Sequence, residues 1–278
     1  NLQRMVHKVS NAVDWQRAYA YHPGTNRLKA TSLPGDDHDD PDDFSATYTH
    51  DAHGNMTAMP HIPGGLAWDP DDRLQSTDHG GGGKTFYVYD GQGQRVRKVH
   101  VNLAGTTSKQ RIYLGAWETY REHKNIASTN DLDFERETLH LHDDHHRVCL
   151  IETKTVEDET PITPANTARY QYPDHLSTAN LELSEAAEVI TYEEFHPYGT
   201  SSYRAANDTI EASPKRYRYT GQERDEETGL AYHGARYYAP WLARWTAADP
   251  LGLVDGPGRY SYARGNPTVL TDPSGSAT

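Results

Sequence analysis

Five passages of this 278-residue chain share one pattern: an aromatic residue or leucine, a polar turn, then arginine or asparagine followed by an apolar residue. They are Tyr21-His-Pro-Gly-Thr-Asn-Arg-Leu28, Tyr48-Thr-His-Asp-Ala-His-Gly-Asn-Met56, Trp68-Asp-Pro-Asp-Asp-Arg-Leu74, Tyr89-Asp-Gly-Gln-Gly-Gln-Arg-Val96 and Leu141-His-Asp-Asp-His-His-Arg-Val148. Each suits a β-hairpin. Alternation before the turn, as in Phe86-Tyr-Val-Tyr89, fits a strand with one face inward, and it resumes in Arg95-Val-Arg-Lys-Val99. Asp-Gly, Asp-Pro and Pro-Gly supply the turn conformation. A lone hairpin is marginal in water, so such units must stack or wrap to bury their apolar faces. The expected fold is all-β, with hairpins wound as a spiral or shell-like sheet.

Composition agrees. The chain has 19 Tyr against 4 Phe, which suits strands buried on one face and wet on the other. Its apolar fraction is 35% and its mean hydropathy -0.88. No apolar run approaches the roughly 18–20 residues of a bilayer helix, so no membrane span is expected. A net charge of -13, from 40 acidic and 27 basic residues, argues against a nucleic-acid partner, whose phosphates need clustered Lys and Arg. Cys149 has no partner and reads as a small buried hydrophobe. A start at Asn1, without Met or a signal segment, reads as a fragment.

Polar stretches at about 122–138 and 152–168 read as loops, and the acidic run 35–44 as a solvated excursion. His140, His142, His145 and His146 lie beside Asp143 and Asp144. A surface turn is favoured there over a metal site, because no third ligand is specified. No cofactor or metal is expected.

From about residue 169 the texture changes to a dense series of motifs. His175-Leu-Ser-Thr-Ala, Tyr192-Glu-Glu-Phe-His-Pro-Tyr-Gly199, Gly221-Gln-Glu-Arg-Asp225, Ala235-Arg-Tyr-Tyr238, Asp249-Pro-Leu-Gly252 and Asp272-Pro-Ser-Gly275 follow in that order. This ordered set resembles the Rhs/YD-repeat family, specifically its Rhs-associated core, and most of all the C components of insecticidal Tc toxin complexes. Two regions are expected: 1–168, degenerate YD-repeat hairpins forming a shell segment, and 169–278, the core plug.

The resemblance implies a mechanical function. YD repeats wind into a hollow shell around a toxic carboxy-terminal polypeptide, and the core closes one end and severs the toxin in the manner of an aspartic protease. Its implied partners are upstream shell sequence or other toxin-complex subunits and a downstream toxin cargo. The implied location is a secreted or exported toxin complex. Cleavage in the family follows the Leu after the second Asp-Pro-x-Gly; here that position is Ser276, so the cut-site residues are Gly275, Ser276 and Ala277.

The residues carry a parallel reading of their own. Asp249 and Asp272 each precede Pro and stand three residues before Gly, on corners stiffened by Pro and turned by Gly. If the corners meet, two nearby carboxylates share a proton, and one can activate water while the other protonates the leaving amide. The chain would then be a single-turnover, self-cleaving aspartic-type peptidase. Arg244 and Arg236 are the cations suited to orienting a carboxylate, and Arg244, five residues before Asp249, is taken as the third catalytic residue. The same corners are also good β-turns, in which the aspartates only cap backbone donors. The competing reading is therefore a non-catalytic interaction or cell-surface module, with carbohydrate as one ligand class; a metal hydrolase built on His140–His146 trails both.

Overall fold

The computed structural model describes residues 1–128, 131–144, 146–210, 212–254 and 256–276. Twelve strands, from Gly65–Trp68 to Ser201–Ala206, form one antiparallel meander in which every strand pairs with its neighbours in sequence. A four-stranded sheet from Arg4–Val9 to Ala46–Thr47 precedes it, and a small sheet of Glu223–Arg224, Ala231–Tyr232, Tyr237–Ala239 and Arg244–Trp245 follows. Helix among the described residues is limited to three-residue 3-10 turns, and no helix is long and apolar enough to cross a membrane.

All five repeated passages fold as hairpins. The aspartate after the aromatic residue has a definite task in three of them. Asp51, Asp69 and Asp90 each turn one carboxylate oxygen back onto two backbone N–H groups of the turn. The side chain thus replaces water at donors that the tight loop would leave unpaired.

The large sheet inverts the usual distribution of polarity. Arg95, Lys98, Arg111, Glu118, Glu152, Arg169, Glu182 and Glu193 are buried on one face, while Val88, Trp117, Leu141, Tyr170, Tyr172 and Tyr192 are exposed. The buried charges are tolerable because the C-terminal segment crosses that face and meets them. Arg95 donates to Asp225 and Glu223, Lys98 to Asp225 and Glu227, and Arg216 to Glu118 and Glu223. Arg218 and Lys215 face Glu193. Buried ions persist when each finds an opposite charge and hydrogen bonds, and a buried ion that loses its partner is strongly destabilising.

This explains two departures from expectation. Most of the stretches at about 122–138 and 152–168 is strand, the described residues 124–128 and 131 and the turn 158–159 excepted. They contribute to the strands Leu132–His142, Arg147–Glu157 and Thr160–Pro173, whose polar side chains face other charges. Pro161 and Pro164 fit because residues 160–168 pair on one side only, leaving a local edge where a missing N–H costs little. His140 is also not on a surface turn: its strand carries it inward, with Nε2 3.6 Å from Glu118. His145, part of the same cluster, lies outside the described residues.

The expected boundary at 168/169 falls inside the strand Thr160–Pro173, and the sheet continues to Ala206. Apolar packing also joins the two regions. Tyr19, Leu28, Tyr48, Met56, Ile62, Leu74 and Tyr87 share one core with Leu230, Tyr237 and Leu242. Cys149 is buried, and burial pushes its thiol pKa up.

Candidate active site

A second core, of Tyr219, Tyr238, Trp245, Tyr262 and Ala263, supports the two aspartate corners. Tyr238 pairs with Trp245 across the small sheet, and Arg236 enters immediately before its strand. The Arg236 guanidinium lies 4.3 Å from the centre of the Trp245 ring, an arrangement that holds a cation without a hydrogen bond.

Asp249 sits on the first corner. Gly252 N–H donates to its carbonyl at 3.0 Å and Leu251 N–H to its Oδ1 at 2.8 Å, so the side chain both closes the turn and leaves Oδ2 free to point inward. Asp272 holds the second corner, where Oδ1 accepts Ser276 N–H at 3.1 Å and the Ser274 hydroxyl at 3.3 Å. Both aspartates are buried, at 5% and 1% exposure.

The corners meet through a cation. Arg236 Nη2 lies 3.1 Å from Asp249 Oδ2 and 3.2 Å from Asp272 Oδ2, so one nitrogen joins carboxylates 23 residues apart. Direct proton sharing was the arrangement expected from sequence; a guanidinium occupies that place, which offsets the repulsion of two close anions by charge. Burial lowers the Arg236 pKa and the two carboxylates raise it, burial prevailing. Arg236 also donates through Nε to the carbonyl of Gly275 and through Nη1 to that of Arg259.

Gly275 is required where it stands. Its φ is +71°, and a Cβ there would lie 2.7 Å from the His233 carbonyl oxygen and 2.9 Å from the Arg236 nitrogen. His233 faces the Asp272 carbonyl oxygen through Nδ1 at 2.8 Å, and burial drives its pKa down to about 4. The neutral ring therefore donates from Nδ1 and fixes the backbone of the second corner.

Arg244 is not at the pair. Its guanidinium donates to the carbonyl of Asn26 at 2.6 Å and lies against the rings of Tyr21 and Tyr260. Nearness in sequence to Asp249 does not bring it there, because Arg244 pairs with Ala239 in the small sheet and its guanidinium reaches the Asn26 carbonyl instead. Arg236, the other arginine suited to orienting a carboxylate, is the cation that arrives. No spacing signal marked His233. Of the expected cut-site residues, Gly275 and Ser276 lie against the pair, and Ala277 is outside the described residues. Tyr237, Tyr238 and Trp245 are interior packing, while Trp241 is half-buried against His61.

The fold and the site together define an Rhs-type chain, a hairpin meander covered by a core with two aspartate corners. No family model matches it. Among curated proteins it is 33% identical over 262 residues to the toxin subunit YenC1 of Yersinia entomophaga, covering 91% of this chain and 25% of that protein. It is 32% identical over 254 residues to YenC2 of the same organism, covering 86% and 24%. The crystal structure of TcdB2-TccC3-TEV superposes with a TM-score of 0.71 at 27% identity, over 94% of this chain and 13% of that one. The chain is thus a Tc-toxin C-type Rhs component, related to the YenC subunits and to TccC3, and it spans about a quarter of the length of those curated relatives.

Proposed function

We propose that this chain is the closing end of a β-shell that encapsulates a downstream toxic polypeptide and severs it by aspartyl autoproteolysis near residue 276. The observation that carries this reading is the buried Asp249–Arg236–Asp272 bridge with the following backbone held against it at Gly275 and Ser276. A turn that only capped its own donors would need no shared arginine and no grip on the chain beyond it.

The chain leaves the pair at Ser276, so the peptide bond that follows is the one delivered to the carboxylates. Asp249 lines a cavity of about 390 Å3 that also touches Arg259, Ser261 and Tyr262, and water enters there. Asp249 takes a proton from that water as its oxygen attacks the scissile carbonyl carbon. Asp249 then passes that proton to the amide nitrogen as the C–N bond breaks, while Asp272, ionised and paired with Arg236, holds the Ser276 N–H on the substrate side. Arg236 holds both carboxyls and the preceding carbonyl in register. The substrate is already attached, so positioning alone lowers the barrier by several kcal/mol, and one turnover completes the task.

Upstream shell sequence or other toxin-complex subunits complete the container, the cargo begins beyond the cut, and the assembly is exported. The deciding experiment expresses the chain with its native downstream extension and weighs the products, beside Asp249→Asn and Asp272→Asn. Cleavage in the unmutated chain and its loss in both variants is the expected result. Persistence of cleavage in both variants would sink the aspartyl mechanism, and an uncut wild type would leave only the passive module.

A further inference from the structure

Arg147, half-buried, opens the strand Arg147–Glu157 at the rim of the charged face, and it is unlike the buried cations there. Arg95, Arg111, Arg169 and Arg216 each bond a carboxylate at 2.8 Å or less. Arg244, which has no carboxylate, still donates to the carbonyl of Asn26. Among the described residues, Arg147 makes no side-chain hydrogen bond or ion pair, and its Nε is buried without an acceptor. What holds it is the face of Tyr217, 3.6 Å from the ring centre. Stacking on a ring leaves the planar edge of a guanidinium, with its forked donors, unspent.

That side chain lines a cavity of about 300 Å3 between the 141–148 hairpin and the C-terminal block. His142, His146, Gln171, Ser177 and Gln222 share its wall, and neither Asp nor Glu does. In a chain with 40 acidic and 27 basic residues, a concavity walled by arginine and histidine and without a carboxylate is a departure from the surrounding field. A cation whose Nε is buried without an acceptor and which has no ionic partner gains free energy when an anion arrives. Burial, and after it the charge of Arg147, lowers the His142 pKa, so the Arg147 charge is felt at that ring. The cavity's volume is at the lower end of small-ligand pockets, roughly 300–1,000 Å3.

We propose that this cavity binds a small oxyanion, a carboxylate or a phosphate, received edge-on by the Arg147 fork with His142 beside it. A bidentate pairing of this kind matches guanidinium to either anion. The site is separate from the aspartate pair and does not depend on autoproteolysis.

The test titrates the purified chain with inorganic phosphate and, separately, with sodium acetate at constant ionic strength, against chloride. Binding is followed by calorimetry and by the NMR titration of the His142 ring. One saturable site is expected, together with a His142 pKa that rises when the site is filled. Arg147→Met should weaken binding at least tenfold, Arg147→Lys should weaken it less, and Arg204→Met, at an exposed position, should leave it unchanged. Binding of phosphate but not acetate assigns a phosphate site, and the converse a carboxylate site. Failure of both anions to bind, or affinities undiminished in Arg147→Met, overturns the proposal. If the methionine variant does not fold, affinity in Arg147→Lys equal to that of the parent overturns it instead.

Discussion

Arg216 Nη2 meets Glu118 Oε1 at 2.5 Å, joining the C-terminal block to the middle of the large sheet. Arg216→Met should therefore destabilise the whole chain. Glu118 and Glu223 would keep Arg111 and Arg95 but lose a shared cation in a buried setting, and removal of one partner from such a pair costs about 3–5 kcal/mol. Denaturant unfolding should show one lowered midpoint for sheet and block together. Separate transitions would mean that the two regions fold independently.

Replacing Arg236 tests the bridge apart from the aspartates. Arg236→Met leaves two buried carboxylates side by side, so both cleavage and melting temperature should fall. Adding Asp272→Asn removes one of the opposed charges and should restore part of the lost stability while cleavage stays absent. A double variant less stable than Arg236→Met would show that the carboxylates do not repel one another.

Gly275→Ala puts a methyl group against backbone at a left-handed φ. A cost of about 1–3 kcal/mol is expected at the second corner, read as faster limited proteolysis near the C-terminus and slower self-cleavage. Gly252→Ala is the control. Its φ is +75°, but nothing lies within 4 Å of the added atom, so only the smaller backbone penalty applies.

The buried histidines set a pH dependence. His233 and His50 have pKa values driven down to about 4 by burial, against about 6.5 in an unfolded chain. The unfolded chain therefore binds more protons between those values. Stability is fully present above pH 6.5 and is lost as pH falls towards 4, by on the order of 3 kcal/mol for a fully buried group such as His233. Glu223, held down to about 2 with Arg216 as the largest opposing charge, adds a further loss between its ordinary range and that value. His233→Asn should make the upper limb of the melting-temperature profile shallower, the remainder being due to His50, and leave the lower limb in place.

The hairpins were legible because their turn chemistry is local: an aspartate two to four residues before the donors it accepts leaves its mark in the sequence. The two aspartate corners were legible for the same reason. The polar strands were not, since their alternation is of charge against charge, and the C-terminal partners of Arg95 and Glu118 lie 98 to 130 residues away. Polar runs of that kind read as solvent-exposed loop until the covering segment is known. The choice between Arg236 and Arg244 failed on the same ground. Both flank one strand turn, and only the three-dimensional path decides which guanidinium reaches the carboxylates.

The ionic seam between sheet and C-terminal block has a consequence for inheritance. A genetic crossover between residues 206 and 215 would join one parent's cations to another parent's carboxylates, and each mismatch would be sealed where water cannot repair it. A crossover beyond Gly275 disturbs none of those pairs. The fold thus resists exchange of its cover, and the ion partners of the seam, from Arg95 to Glu227, must change together or not at all.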